Sequence, residues 1–188
     1  MRDITMGGRG QIFINHIDLT GRKKLFDVGG GPGLYSILAC QKYPELTATV
    51  FDLPETIAIA RQFIEQENLS DRISVCEGSW DTDSFGGGND VVLFSNVLHG
   101  PTSDALQKLQ KAFESLAPGG MVAIQEFALN DAHTGPLIPA LFNVMVGAYA
   151  KNELMDLLEQ VGYTDAKVVV ESHEIGCTWI TALKSAGA

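Results

Sequence analysis

The chain has 188 residues, 45% of them hydrophobic and 19% charged, with a formal net charge of −10. That balance supports a folded domain with a sizeable core and excludes a disordered chain. The acidic surplus argues against a nucleic-acid partner, because the one basic run, Arg22-Lys23-Lys24, reads as the solvated entrance to a strand.

In chain order, Met1 to Leu19 carries Ile4, Ile12, Phe13, Ile14 and Ile17 and reads as a helix with too little chain around it to cover them. Residues 1–20 are therefore expected to form an N-terminal helical segment, and 21–188 the main domain. Lys24 to Val28 reads as a strand, Leu34 to Lys42 as a helix and Thr47 to Phe51 as a strand. Glu55 to Glu67 reads as a helix opened by Pro54, whose missing N–H costs little there. Ile73 to Cys76 and Asp90 to Ser95 follow as strands, then Ser103 to Leu116 as a helix stopped by Ala117-Pro118-Gly119-Gly120. Met121 to Phe127 is a further strand, and Asn130 to Pro139 an irregular loop over the site. Asn152 to Val161 reads as a helix ended by Gly162, and the pair Ala166 to Glu171 and Cys177 to Leu183 as a hairpin at the sheet edge.

Seven strands alternating with helices predict an α/β fold: a mostly parallel sheet with helices on both faces and one antiparallel strand. Cys40, Cys76 and Cys177 are dispersed and form no C-x-x-C pair. Reduced thiols, a cytoplasmic location and no metal site are the expectation. No apolar signal region follows Met1, and no apolar run reaches membrane-spanning length.

The stretch "LFDVGGGPGLYSIL" (25–38) places a glycine-rich turn between the first strand and the first helix of the domain. In an open parallel sheet, ligands bind at the carboxyl ends of the strands, and glycine lets a ligand approach the backbone closely. The dinucleotide spacing G-x-G-x-x-G fails, since counting from Gly29 the last place falls on Leu34. The spacing that fits is acid-x-G-x-G-x-G: Asp27, Gly29, Gly31 and Gly33. Asp52, ending the second strand, can accept hydrogen bonds from both hydroxyls of a ribose, its competing role being a cap before Pro54.

That turn is similar to the first motif of S-adenosylmethionine (SAM) dependent methyltransferases. With "TVFDLPE" (49–55), "NVLHG" (96–100), "LAPGGMVAIQE" (116–126) and "ELMDLLEQVGY" (153–163), the chain resembles the small-molecule O-methyltransferases that act on caffeate, flavonoids and bacterial polyketides. The resemblance implies a Rossmann-like class I methyltransferase fold. It implies SAM as cofactor, S-adenosylhomocysteine as product and a small hydroxyl compound, a phenol, as substrate. His99 matches the family's catalytic base and Glu126 the glutamate that orients it. Gly29, Gly31 and Gly33 would hold the methionine part, Asp52 the ribose, and Ser79 and Trp80 the adenine edge, with Asp27, Leu53 and Ser95 also in the cofactor site. Ser95 stands where many relatives carry a lysine, Gly100-Pro101 where they carry Asp-Trp, and Ala148 near the place of a second glutamate. The family also has an N-terminal helical domain that pairs subunits, so a homodimer is expected in that context. Self-association of this chain through its uncovered N-terminal residues is the corresponding expectation. Three other readings remain: a carbon or nitrogen acceptor, which would not need His99; a SAM-binding domain with little catalysis; and a nicotinamide enzyme, disfavoured by the glycine spacing.

Overall fold

The computed structural model describes residues 8–99 and 103–187. After a short helix, α1 (Gly10–His16), the chain alternates β1 (Lys24–Val28), α2 (Leu34–Lys42), β2 (Thr47–Asp52), α3 (Pro54–Gln66) and β3 (Ile73–Glu77). It continues through β4 (Asn89–Ser95), α4 (Ala105–Ser115), β5 (Leu116–Glu126), α5 (Leu137–Val146), α6 (Lys151–Val161), β6 (Thr164–Ser172) and β7 (Cys177–Leu183). The seven strands lie in the order β3-β2-β1-β4-β5-β7-β6. β1 to β5 pair in parallel, while β7 runs antiparallel to both β5 and β6. The chain works outward from β1 to β3 and then returns across β1 to lay down β4. The loops after β1 and β4 therefore diverge from adjacent strand ends and leave a crevice between them, which is where this topology binds ligands.

Burial on both faces explains the near-continuous apolar strands. One core joins Phe13, Ile17 and Leu19 to α2, α3 and Trp179; the other joins Phe26, Phe51, Phe85 and Phe94 to α4 and α6. Phe13 stacks on Trp179 at 5.1 Å and meets Tyr35 edge-on at 5.2 Å. The expectation of uncovered N-terminal residues is corrected here. Phe13 and Ile17 are buried, and Ile12 and Ile14 pack against the same core; Ile4 lies outside the described residues.

The exposed apolar surface lies elsewhere, on α5. Leu137 is 72% exposed, Leu141 57%, Val144 85% and Met145 77%. This helix replaces the end of the irregular loop expected over 130–139. Pro139 obscured it, yet a proline in the first helical turn removes no intrahelical hydrogen bond. β5 also starts earlier than Met121, because Leu116 pairs with Asn89 ahead of an irregularity between Asn89 and Val91. Among the described residues, no helix is long and apolar enough to cross a membrane.

Candidate functional site

The glycine turn is pressed between its neighbours. Gly29 has φ +65°, and its N–H donates to the Phe51 carbonyl at 2.8 Å. A Cβ on Gly29 would lie 2.8 Å from Val97 Cγ2 and 2.9 Å from Trp80 Cζ3. A Cβ on Gly30 would lie 2.8 Å from Asp27 Cγ and 2.9 Å from Val50 Cγ1. Asp27 is fully buried under the turn; its Oδ2 accepts the Ser36 hydroxyl at 2.7 Å, and its Oδ1 accepts no hydrogen bond from the described residues. Burial pushes Asp27 up to about 7, with Ser36 opposing and the Asp52 charge adding to the rise.

Above the turn lies a cavity of about 250 Å³. Asp27, Gly29, Gly30, Gly31 and Pro32 line one side, and Arg9, Tyr35, Ser95, Asn96, Phe127 and Phe142 are among the residues on the other. The Arg9 guanidinium stacks 4.5 Å over the Phe127 ring and donates to the Ile175 carbonyl at 2.7 Å. Phe127 in turn stacks on Phe142 at 4.2 Å, so α5 roofs the cavity. Ser95 Oγ and Asn96 Nδ2 both donate to Gln125 Oε1, at 2.9 and 3.0 Å. Asn96, at φ +54°, takes the left-handed conformation that turns the chain from β4 toward His99.

A second, open cleft of about 480 Å³ is lined by Trp80, Asp81, Val97, His99, Ser103, Lys108 and Val146. His99 Nδ1 faces Glu126 Oε2 at 3.9 Å, too far for a hydrogen bond. Glu126 is buried, and its Oε1 accepts the Leu98 N–H at 2.6 Å. Burial pushes Glu126 up to about 7, against the backbone N–H groups around it and the Lys108 charge. His99 is lowered, first by burial and then by Lys108. Near neutral pH the imidazole is therefore uncharged, and the contact is not an ion pair. Phe142 meets the His99 ring edge-on at 5.4 Å.

The fold brings most of the expected residues to this crevice. Asp27, Gly29, Gly31 and Ser95 line the cavity, Trp80 and His99 line the cleft, and Glu126 sits behind His99. Others take supporting places. The Asp52 carboxylate is buried and accepts the Gly31 N–H through Oδ2 and the Leu53 N–H through Oδ1, each at 2.8 Å. Gly33 caps α2 and sits against Val50, while the Leu53 side chain faces outward, 47% exposed. The Ser79 hydroxyl closes its own turn by accepting the Asp81 N–H at 3.2 Å. Gly100-Pro101 lies outside the described residues, and Ala148 is buried beside Leu129 and Ala150. The nearby Glu153 does not replace the second glutamate: it accepts the Ala150 N–H and faces His133 at 3.5 Å.

Sequence reasoning missed Arg9, Gly30, Tyr35, Asn96, Phe127, Phe142 and Lys108. Gly30 and Asn96 stood inside the quoted glycine turn and NVLHG stretch, and Lys108 carried a signal as a charge on the apolar stripe of α4 between Ala105, Leu109 and Ala112.

The O-methyltransferase domain profile matches residues 7–164. The 3-hydroxy-5-methyl-1-naphthoate 3-O-methyltransferase of Streptomyces sahachiroi is 33% identical over 160 residues, covering 81% of this chain and 46% of that protein. The L-tyrosine C(3)-methyltransferase of Streptomyces lavendulae is 36% identical over 140 residues, covering 73% of this chain and 38% of that protein. The solved structure of an O-methyltransferase family 2 protein from Planctomyces limnophilus, in complex with apigenin, superposes with a TM-score of 0.84 at 28% identity. The match covers 96% of this chain and 59% of that one. The chain thus spans about half the length of the curated relatives it matches.

Proposed function

The chain belongs to the SAM-dependent small-molecule O-methyltransferase family, and we propose that it transfers a methyl group from SAM to a phenolic hydroxyl, leaving S-adenosylhomocysteine. The observation that carries this reading is a shared wall. Trp80 and Val97 press on Gly29 of the cofactor turn and also line the cleft that holds His99. A base and a cofactor cavity on two sides of one wall suit a single transfer between them.

The residues present fit SAM, which when bound supplies a methyl carbon made electrophilic by its sulfonium. Arg9 is the cation of the cavity lining and suits the methionine carboxylate, while buried Asp27 suits a cationic group. The glycines at 29 to 31 allow close approach, with Ser95 opposite. Asp52 and Leu53 would take the ribose, and Trp80 with Ser79 the adenine. His99 takes the acceptor proton as the oxygen attacks the methyl carbon and the carbon–sulfur bond breaks, its electrons staying on sulfur. Glu126 then balances the imidazolium through Nδ1. A phenol, with a pKa of about 10, is within reach of such a base.

The L-tyrosine C(3)-methyltransferase supports a second reading, transfer to a ring carbon beside a phenol; unlike a carbon acceptor without a hydroxyl it would use His99 for the phenolic proton, and the ring C–H proton would leave as the methylated ring regains aromaticity. Residues 1–20 are read as the lead into this domain, lending Arg9 to its cavity, and 21–188 as its SAM-binding catalytic part. The working form is a cytoplasmic homodimer, and the exposed apolar residues of α5 support such a partner surface.

Calorimetry with SAM and with NAD, followed by labelled SAM with a panel of phenols, tests the reading. SAM binding without NAD binding, and label on oxygen, are expected. Label on carbon would favour the second reading, and a folded chain that ignores SAM would defeat both.

A further inference from the structure

Lys108 is nearly as buried as the apolar residues around it, 3% exposed. A buried ammonium is costly unless its charge and hydrogen bonds are satisfied. Its Nζ donates to the Ser103 carbonyl, lies 5.3 Å over the Trp80 ring and lines the same cleft as His99. The carboxylates acting on it come from three elements: Asp81 after β3, Asp104 at the start of α4 and Glu126 at the end of β5. Lys111, one turn along α4, is the cation acting against it. Around His99, Glu126 faces Nδ1, Lys108 adds its positive charge, exposed Asp81 stands on the cleft wall, and uncharged Phe142 covers the ring edge.

We propose that Lys108 is a positioning residue for methyl transfer: its fixed ammonium holds His99 neutral, and so able to take the acceptor proton, while favouring the Glu126 carboxylate that receives the imidazolium. The two effects have opposite signs because one positive charge repels a second cation and attracts an anion. The direction found for each group agrees, with Lys108 lowering both His99 and Glu126. An enzyme arranged this way keeps its base available below the pH at which a free histidine would be protonated.

The proposal rests on the methyl-transfer reading, but its test needs no turnover. The His99 ring proton is followed by NMR against pH in the full chain without SAM, the resonance being assigned among the four histidines with His99→Gln. The wild-type midpoint is expected below 6.5. Lys108→Gln keeps a donor for the Ser103 carbonyl and removes the charge; it should raise the midpoint by about half a unit or more. Lys108→Arg should stay with wild type. In turnover, the acid limb of the pH–rate profile should move with the midpoint, and the plateau should fall as Glu126 loses the positive charge beside it. An unmoved His99 midpoint in folded Lys108→Gln overturns the proposal. Should that variant not fold, Lys108→Met, which removes the charge and keeps an unbranched side chain in the buried site, is titrated in the same way: a raised His99 midpoint supports the proposal and an unmoved one overturns it. A shifted midpoint in a chain that transfers no methyl group would leave the charge relation standing and defeat the function.

Discussion

His99 and Glu126 sit 3.9 Å apart with opposed demands on a proton. Burial disfavours charge on either, so the resting pair has a neutral imidazole beside a carboxyl raised to about 7. His99→Gln should leave SAM affinity nearly unchanged and lower methyl transfer by about 10²–10⁴-fold, the worth of a positioned general base; single-turnover rates with labelled SAM check it. Glu126→Gln keeps an oxygen for the Leu98 N–H and should slow turnover while narrowing the pH dependence of stability. The sign follows from linkage. Glu126 and Asp27 are acids raised by folding, so between about 4 and 7 the folded chain keeps protons that the unfolded chain has lost. Stability from these groups is present at low pH and falls as pH rises through that window, by an amount of order a few kcal/mol each. Urea midpoints at pH 5 and pH 8 should differ less in Glu126→Gln than in wild type. Asp52 has a different weight, since its two oxygens hold the N–H groups of Gly31 and Leu53. Asp52→Ala should weaken SAM binding by roughly 1.5–3 kcal/mol, with Asp52→Asn intermediate, as read by calorimetry.

The β1–α2 turn is the element on which the cofactor reading depends. Gly30 was not among the three glycines picked out by spacing, yet an added Cβ there would lie 2.8–2.9 Å from atoms of Asp27 and Val50. Gly30→Ala should cost about 1–3 kcal/mol in overpacking and displace the turn, with loss of SAM binding; denaturation and calorimetry together would show both. The segment after β3 is coupled to that turn through Trp80, which α4 holds through Lys111 Nζ on the Trp80 carbonyl at 2.7 Å. Trp80 emission should change on SAM binding, and the change should shrink in Trp80→Phe to what Trp179 contributes through its edge contact with the cavity residue Tyr35 at 5.6 Å. A response of the same size in Trp80→Phe would take Trp80 out of the cofactor site.

At the scale of the molecule, the open question of surface moves from the N-terminus to α5. Phe13 and Ile17 serve the core, with Ile12 and Ile14 packed against it, whereas Leu137, Leu141, Val144 and Met145 face outward. A cluster of that kind on one helix favours association. Light scattering over a concentration series should show self-association of the wild-type chain, reduced in Val144→Glu/Met145→Glu. The melting temperature should shift by only about 2 °C, since neither side chain is packed. A wild-type chain that stays monomeric at all concentrations would remove the surface from consideration.

The sequence by itself determined the seven strands, their alternation with helices, the glycine turn and the positions of Asp52, His99 and Glu126 at strand ends. These features are local: strand and helix periods, glycine spacing and turn residues act within a few positions of one another. The helix α5 escaped because Pro139 reads as a breaker unless its place in the first turn is known. Only the tertiary structure decided what closes the site. Arg9 reaches the cavity through its bond to Ile175, 166 residues away, and Phe142 reaches His99 from a helix that stacks it on Phe127, just past β5. The same holds for Asp52, which a local reading offered to a ribose and the fold binds to Gly31, 21 residues earlier. Which groups share a cavity, and which charges share a proton, are set by packing between elements far apart in the chain, and no local pattern of residue types carries that distance.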